Sequence, residues 1–301
     1  MDGVIILNKC GGLTSQTAVN RVKRLLSVAK AGHTGTLDPM AEGVLPILVG
    51  RGVKASEFML TSDKYYRATL LLGITTDTED ITGEVLSRSD KIPTEESVRE
   101  AVASFVGKYM QIPPMYSAIK KDGKKLCDLA REGITLEREP RPLTVYSIGV
   151  ERIGELEYTL DVHCSKGTYI RTLCKDIGER LGVGGVMKTL LRTEASGFTL
   201  DDAITLEQLE ALDPIEREGR VLPISRIFEK YPTLTLPPFF ARLAHSGLEI
   251  YQKKIGTHYA VGELISLSDS DGFFALGEVR EYPDGLAVKP IRQFRELSHR
   301  E

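Results

Sequence analysis

The stretch "GHTGTLDPMAEGVLP", residues 32–46, holds three glycines and two prolines in fifteen positions. Glycine lets backbone approach a neighbour closely, and proline fixes a turn. A segment this constrained reads as a loop built to hold a side chain still. The side chains on offer are Asp38 and His33. An Asp before Pro is commonly a turn former and nothing more. Asp38, however, follows Gly35-Thr36-Leu37 and precedes Pro39 and Gly43, so its backbone is unusually determined, and a fixed carboxylate can serve as nucleophile or base. A phosphate-cradling loop is the other reading of the glycines. It fails because no Lys-Ser or Lys-Thr follows the last glycine and no GxGxxG opens a helix. His33 has two functional readings, a general acid/base or a polar wedge beside an aromatic ligand. A hydrogen-bonded loop histidine is the commoner fate of a lone His.

The 301 residues suit one large domain plus a small one. A hydrophobic content of 42% and a charged content of 27% are ordinary for a globular protein. There is no run of eighteen apolar residues, and "MDGVIILNK" lacks the basic start and long apolar core of a signal peptide. The expectation is a cytoplasmic protein with no membrane segment. The four cysteines (10, 127, 164 and 174) form no CxxC pair, and the five histidines never fall in an HxxH or HxxxH spacing, so free thiols and no metal are expected. Net charge is −3, which argues against indiscriminate coating of nucleic acid. The charge is uneven: residues 108–131 carry six Lys or Arg against two acids, and residues 201–230 carry four against eight. A basic segment in a mildly acidic chain is a candidate polyanion site, with a solvated lysine face as the plain alternative.

"GVIIL" (3–7) reads as a buried strand. Thr14 or Ser15 then caps a helix with a stripe of Ala18, Val19, Val22, Leu25 and Leu26. "VLPILVG" (44–50) is buried, a helix is expected near 51–61, and a strand over 65–73. Residues 94–106 form an amphipathic helix stopped at Gly107. Residues 108–143, with four prolines and the lysines 120, 121, 124 and 125, read as an excursion containing a short helix near 124–132. Strands near 142–151 and 156–164 return to the sheet, and a helix at 168–181 follows, capped by Thr168 and ended by Gly182. "YPTLTLPP" (231–238) looks like a linker edge. Beyond it, "GELISLSD", "FFALGEVRE" and "GLAVKP" are the short pieces of a small β-barrel or sandwich. The domains expected are 1–230 and 231–301.

"CSKGTYIRT" (164–172) is the second unusual stretch. Arg171 lies in the first turns of its helix, where the helix dipole mildly disfavours a cation, so a carboxylate partner is expected nearby. Tyr66, in "DKYYRA", is by default a half-buried strand aromatic.

Taken together, these stretches resemble the TruB family of bacterial tRNA pseudouridine synthases, which act on uridine 55 in the T loop. "AGHTGTLDPMAEGVLP" resembles the family's catalytic motif. "DKYYRA", "IPPMYSAIKKDGKKLCDLAREG", "RPLTVY", "CSKGTYIRTLCKDIGERLG" and "LLRTEASGF" match further blocks in the same order. The resemblance covers residue 3 to about 230, and the tail is similar to the family's PUA-type RNA-binding barrel. Two departures stand out: Lys9-Cys10 where the family usually has Lys-Pro, and Leu190-Leu191-Arg192 where it often has Leu-Arg-Arg.

The resemblance implies an α/β (α+β) fold: a mixed, largely antiparallel sheet flanked by helices, a lysine-rich insertion at about 108–143 contacting RNA, and a small C-terminal PUA-like β-barrel. It implies that Asp38 is the catalytic aspartate and that Arg171 pairs with it, keeping it ionised in a dry pocket. Tyr66 would stack on the target base as the candidate proton acceptor at C5. Tyr169 neighbours the pocket, Leu190 walls the base, and Lys9 belongs to the first motif. His33 would fill the space left in the T loop when the uridine leaves. Lys120, Lys121, Lys124 and Lys125 would meet the RNA backbone. Isomerising uridine gains and loses no redox equivalent, so no cofactor is expected. The expected partner is the tRNA T-arm, with no membrane, no obligatory protein partner and a monomeric state.

Three rival readings are weighed against this. An RNA-binding or tRNA-chaperone protein would need no catalysis. A retaining glycosidase would need a second carboxylate about 5 Å from Asp38, for which Glu42 is the nearby candidate. A guide-RNA-dependent relative would be expected to carry an extended tail for protein partners.

Overall fold

The computed structural model describes residues 1–121 and 123–295. Its centre is a nine-stranded sheet. The strands used below are β1 (Gly3–Lys9), β2 (Ala31–His33), β3 (Glu42–Val49), β4 (Lys64–Leu72), β5 (Gly107–Gln111), β6 (Arg141–Arg152), β7 (Glu157–Cys164) and β8 (Gly185–Ala195). The main path runs β1-β3-β8-β4-β7-β6-β5, with β2 beside β3 and Phe198–Thr199 beside β8. Every pairing is antiparallel except β3 with β8, where Leu191 faces Glu42 and Arg192 faces Gly43.

Three helices cover one face of the sheet. They are α1 (Ser15–Leu25), α2 (Glu95–Ala103) and α3 (Ile170–Arg180). Each buries the stripe expected of it: Ala18, Val19 and Val22 on α1, Val98, Ala101 and Val102 on α2, and Leu173, Cys174 and Ile177 on α3. Thr14 caps α1 by accepting the Thr17 N–H, and Thr94 caps α2 in the same way. These stripes meet Tyr66, Ala68 and Leu70 of β4 and Leu160 and Val162 of β7 in one core. The other side of β4 and β7 faces water, where Arg67 pairs with Asp161 and Tyr65 stacks on His163. The mixed, largely antiparallel sheet flanked by helices is the expected fold.

Several local expectations are corrected. Residues 51–61 are a 3-10 turn, Gly50–Ala55, followed by a single α-turn, Ser56–Leu60. The excursion is narrower than 108–143, because Gly107–Gln111 pairs with Arg141–Val145 as the sheet's last strand. What leaves the sheet is 112–140, with a helix at Leu126–Arg131 and a small core of Met115, Leu126 and Leu129. Thr168 does not cap α3. Its hydroxyl donates to the Ser165 carbonyl, and Tyr169 takes the cap position with no side-chain bond. The stretch 231–238 is no linker: Thr233–Thr235 is a strand of the second sheet, and Leu234 and Leu236 are buried.

That second sheet has five strands, running from Thr233–Thr235 through Leu264–Asp269, Gly272–Tyr282 and Gly285–Gln293 to Ile250–Tyr251. Among the described residues its two end strands are not paired to each other, and this half-barrel sheet is consistent with the expected PUA-like tail. Pro238–His245 is a helix packed on it. Its other side shares a core with the first sheet's surroundings: Phe228 stacks on Phe273 and meets Phe58 edge-on, with Ala55, Leu276 and Phe294 around it.

Candidate active site

The segment Thr34–Ala41 connects β2 to β3, and almost every part of it is tied down. Lys9, at the end of β1, is fully buried. Its ammonium donates to the carbonyls of Cys10 (2.8 Å), Pro39 (3.2 Å) and Ala41 (2.7 Å). The Gly12 N–H donates to the Pro39 carbonyl at 2.8 Å. Ser15, at the start of α1, donates its hydroxyl proton to the Leu37 carbonyl and accepts the Leu37 N–H. Arg192 of β8 donates to the carbonyls of Gly35 (3.1 Å) and Val44 (2.7 Å), one on each side of the loop. Gly43 is required where it stands. Its φ is +102°, and a Cβ there would sit 2.2 Å from the Arg192 carbonyl. The expected loop is therefore shorter than 32–46, and its ends are strands.

At the top of this loop Asp38 meets Arg171. Arg171 Nε lies 2.9 Å from Asp38 Oδ2, and Nη2 lies 3.3 Å from Oδ1. The Arg171 side chain is 5% exposed and that of Asp38 33%, so the pair presents its acidic partner outward. Arg171 also donates to the carbonyls of Thr78 (3.1 Å) and Tyr116 (2.8 Å). One guanidinium thus joins the Asp38 loop, the 76–83 turn and the root of the insertion. Burial raises the Asp38 pKa above the ordinary aspartate value. Arg171 pulls it down, and the Asp80 charge adds to the rise. Arg171 opposes the rise that burial imposes, and the net shift is upward.

Tyr66, Leu190 and Arg192 line one side of this neighbourhood, since Tyr66 and Arg192 are partners across β4 and β8 and Leu190 lies two residues back on the same face. Tyr66 and Leu190 are each 8% exposed, one an aromatic ring and the other an aliphatic wall. Burial pushes the Tyr66 hydroxyl above the usual tyrosine range, against the pull of Arg192. Tyr169 is held by a reciprocal pair with Gln111, whose amide accepts the Tyr169 N–H and donates to its carbonyl. His33 ends β2, and its Nδ1 accepts the Gly35 N–H at 3.4 Å. Burial and then Arg192 lower its pKa, so it is neutral at pH 7. Lys120, Lys121, Lys124 and Lys125 lie apart, all exposed on a small hairpin that pairs 120 with 125 and 121 with 124.

Sequence reasoning missed three groups. Arg192 is 1% exposed and belongs to the site's floor. Lys64 is 7% exposed, with its pKa lowered to about 8 by burial and by Arg192. Asp80 is held in its turn by Thr78 and Thr82. The signal that could have found Arg192 and Lys64 is their two-residue spacing from Leu190 and Tyr66.

Residues 23–170 match the model of the TruB family pseudouridylate synthase N-terminal domain, and residues 171–226 match that of the tRNA pseudouridylate synthase B C-terminal domain. The chain belongs to the TruB family. The tRNA pseudouridine synthase B of Alkaliphilus oremlandii is 46% identical over 282 residues, spanning 93% of this chain and 94% of its own length. That of Methylobacillus flagellatus is 41% identical over 279 residues, spanning 92% and 91%. A chain in the crystal structure of a Cbf5-Nop10-Gar1 complex superposes with a TM-score of 0.73 at 26% identity, over 98% of this chain and 85% of that one. The TruB family match thus extends through α3 and β8, the elements that bring Arg171 and Arg192 to the Asp38 loop. Of this TruB family chain's described helices, none is long and apolar enough to cross a membrane.

Proposed function

We propose that this chain isomerises uridine to pseudouridine at position 55 in the T loop of tRNA, with Asp38 as the catalytic carboxylate. The observation that carries the reading is the Asp38–Arg171 pair on a clamped loop beside the aromatic ring of Tyr66 and the aliphatic wall of Leu190. The names of the two bacterial relatives support it.

A uridine stacked inside a folded loop is out of reach, so it is flipped out at a cost of a few kcal/mol. The neutral His33 imidazole is suited to occupy the vacancy and offset part of that cost. Asp38 then assists breaking N1–C1′, by attack at C1′ or C6 or through a glycal route. The base turns between Tyr66 and Leu190 and rejoins through C5, whose proton passes to Tyr66. Lys9 acts on the chemistry only through the loop it holds, and Tyr169 closes the pocket beside Arg171. The hairpin lysines 120, 121, 124 and 125 meet phosphates of the T-arm, which makes affinity fall as salt rises.

In this reading residues 1–230 form the catalytic unit and 231–301 an RNA-binding unit of PUA type that holds tRNA away from the T loop. The protein works in the cytoplasm as a monomer, needing no cofactor and no protein partner. The glycosidase alternative finds no support, because Glu42 is exposed and turned toward Gly11, where a Cβ would lie 3.2 Å from its Oε1.

The test is to incubate the protein with an unmodified tRNA transcript and map pseudouridine by carbodiimide primer extension. A new stop at position 55 is expected, absent with Asp38→Asn. No stop, or the same stop with Asp38→Asn, overturns the reading; tRNA binding without any conversion favours the chaperone alternative.

A further inference from the structure

A fully buried arginine without a carboxylate is costly, and Arg192 is one. It is 1% exposed, and among the described residues no Asp or Glu lies within ion-pair distance of it. Its Nε–H and one Nη2–H go to the Val44 and Gly35 carbonyls. Its Nη1 faces Gly35, where a Cβ would stand 3.4 Å away. The Tyr66 hydroxyl, on the strand position paired with Arg192, lies close enough for the guanidinium charge to act on it. The backbone puts them together: Arg192 opposes Tyr66 across β8 and β4, and opposes Gly43 across β8 and β3. One side chain therefore bonds the backbone on both sides of the Asp38 loop and stands opposite the tyrosine on the facing strand.

We propose that Arg192 is a positioning residue for the isomerisation, fixing the Tyr66 oxygen against the Asp38 loop and supplying the positive charge that lets this oxygen accept the C5 proton. The inference rests on the reading of the site given above. The reacting form of Tyr66 is its ionised fraction, which burial keeps small and the Arg192 charge enlarges. When the C5–H bond breaks, the proton passes to the Tyr66 oxygen and the electron pair returns to the uracil ring. N1, freed from C1′, takes a proton from water, and Tyr66 later gives its own to water. Atoms and charge balance, with no co-reactant.

The charged and titratable groups around this pair are few. Tyr66 faces Arg192 from β8, Cys164 from β7 and Asp38 from the loop. Arg192 acts on Lys9 from β1, His33 from β2 and Lys64 from β4.

The experiment places 3-fluorotyrosine at position 66 in the full chain and titrates its fluorine resonance in the wild type, Arg192→Gln and Arg192→Lys. Single-turnover conversion of a tRNA transcript is followed in parallel as a function of pH. With Arg192→Gln the titration midpoint is expected to rise by about one unit or more, and the alkaline rise of the rate by the same amount. The rate itself should fall roughly 100-fold with tRNA affinity within about threefold. Arg192→Lys is expected to keep the wild-type midpoint and recover to within about tenfold of the wild-type rate. A midpoint unchanged in Arg192→Gln, or an Arg192→Lys protein as slow as Arg192→Gln, overturns the proposal. If Arg192→Gln does not fold, Arg192→Lys decides by the same two readings. Failure of the wild type to convert tRNA would overturn the functional reading instead, while the Tyr66 midpoint would remain measurable.

Discussion

The Asp38 loop and the 112–140 insertion are both excursions from the same sheet, and they are built in opposite ways. The loop is held by two buried cations, by Ser15 from a helix and by backbone bonds, with Leu37 and Ala41 buried beneath it. The insertion has a core of Met115, Leu126 and Leu129 and places its four lysines in solvent. Its root is tied by the Arg171 donation to the Tyr116 carbonyl and by the Tyr116 hydroxyl on Asp77 at 3.2 Å. On the function proposed above, the difference is a division of labour. A reacting carboxylate must be held to within a fraction of an ångström, whereas phosphates can be gripped by mobile point charges that contribute little to the fold.

The largest effect expected on this division is at Asp38. Asp38→Asn should remove measurable turnover while tRNA binding stays within a few fold, checked by conversion and filter-binding assays. The carboxyl's own effect on stability has a definite sign. A carboxyl whose folded pKa is raised contributes stability that is fully present below the unfolded value and lost as pH rises through the folded one. At pH 7 the ionised Asp38 is therefore a cost. Asp38→Asn relieves that cost but leaves the buried Arg171 without its carboxylate, so its melting temperature reads the balance of the two while the loss of turnover reads the chemistry. Measurable turnover by a folded Asp38→Asn protein would make Asp38 a structural residue.

Lys9→Met comes next. It removes the ammonium donor from three carbonyls, of which Pro39 keeps the Gly12 N–H, and should cost about 2–4 kcal/mol of stability, seen by denaturant unfolding. Loosening the loop should lower kcat by roughly 10–100-fold with KM for tRNA nearly unchanged. A change confined to KM would mean that the clamp serves binding.

Neutralising Lys120, Lys121, Lys124 and Lys125 should do the reverse. The logarithmic salt dependence of tRNA affinity should flatten by roughly 1 for each phosphate no longer neutralised, and the rate at saturating tRNA should hold. An unchanged slope would return these lysines to a solvated face.

The smallest effect lies outside both regions. Asp176 on α3 accepts the Tyr109 hydroxyl, and burial, with help from Glu179 and Glu79, raises its pKa to about 7. By the same sign rule, its stabilising contribution fades between about pH 4 and pH 7. Asp176→Asn should gain in melting temperature on the wild type over that window and run parallel above it, with activity at pH 7 little changed.

The elements that carry these comparisons differ in how legible they were. Periodicity and caps located β1, α1, α2 and α3 because each buries a regular apolar stripe. The Asp38 loop was legible because its backbone demands Gly and Pro. The Arg171 partner was anticipated from a cation in the first turns of a helix. Arg192 escaped because a buried strand position reads as apolar, and only the two-residue spacing from Leu190 marks its face. Gly107–Gln111 escaped for the opposite reason. As an edge strand it buries only Gln111, so its polar residues imitate a loop. The second sheet's first strand was hidden by the prolines after it, and the sharing of Phe228 between the two sheets' surroundings is a long-range fact that no local pattern carries.

The division between a rigid loop for chemistry and a soft insertion for grip is tested most directly by measuring two quantities side by side. These are the single-turnover rate of pseudouridine formation at saturating tRNA and the tRNA dissociation constant, for the wild type, Asp38→Asn and the four-lysine variant. Asp38→Asn should lose the rate and keep the affinity, and the lysine variant should lose affinity and keep the rate. A lysine variant that stays slow at saturating tRNA, or an Asp38→Asn protein that still turns over, would contradict the account.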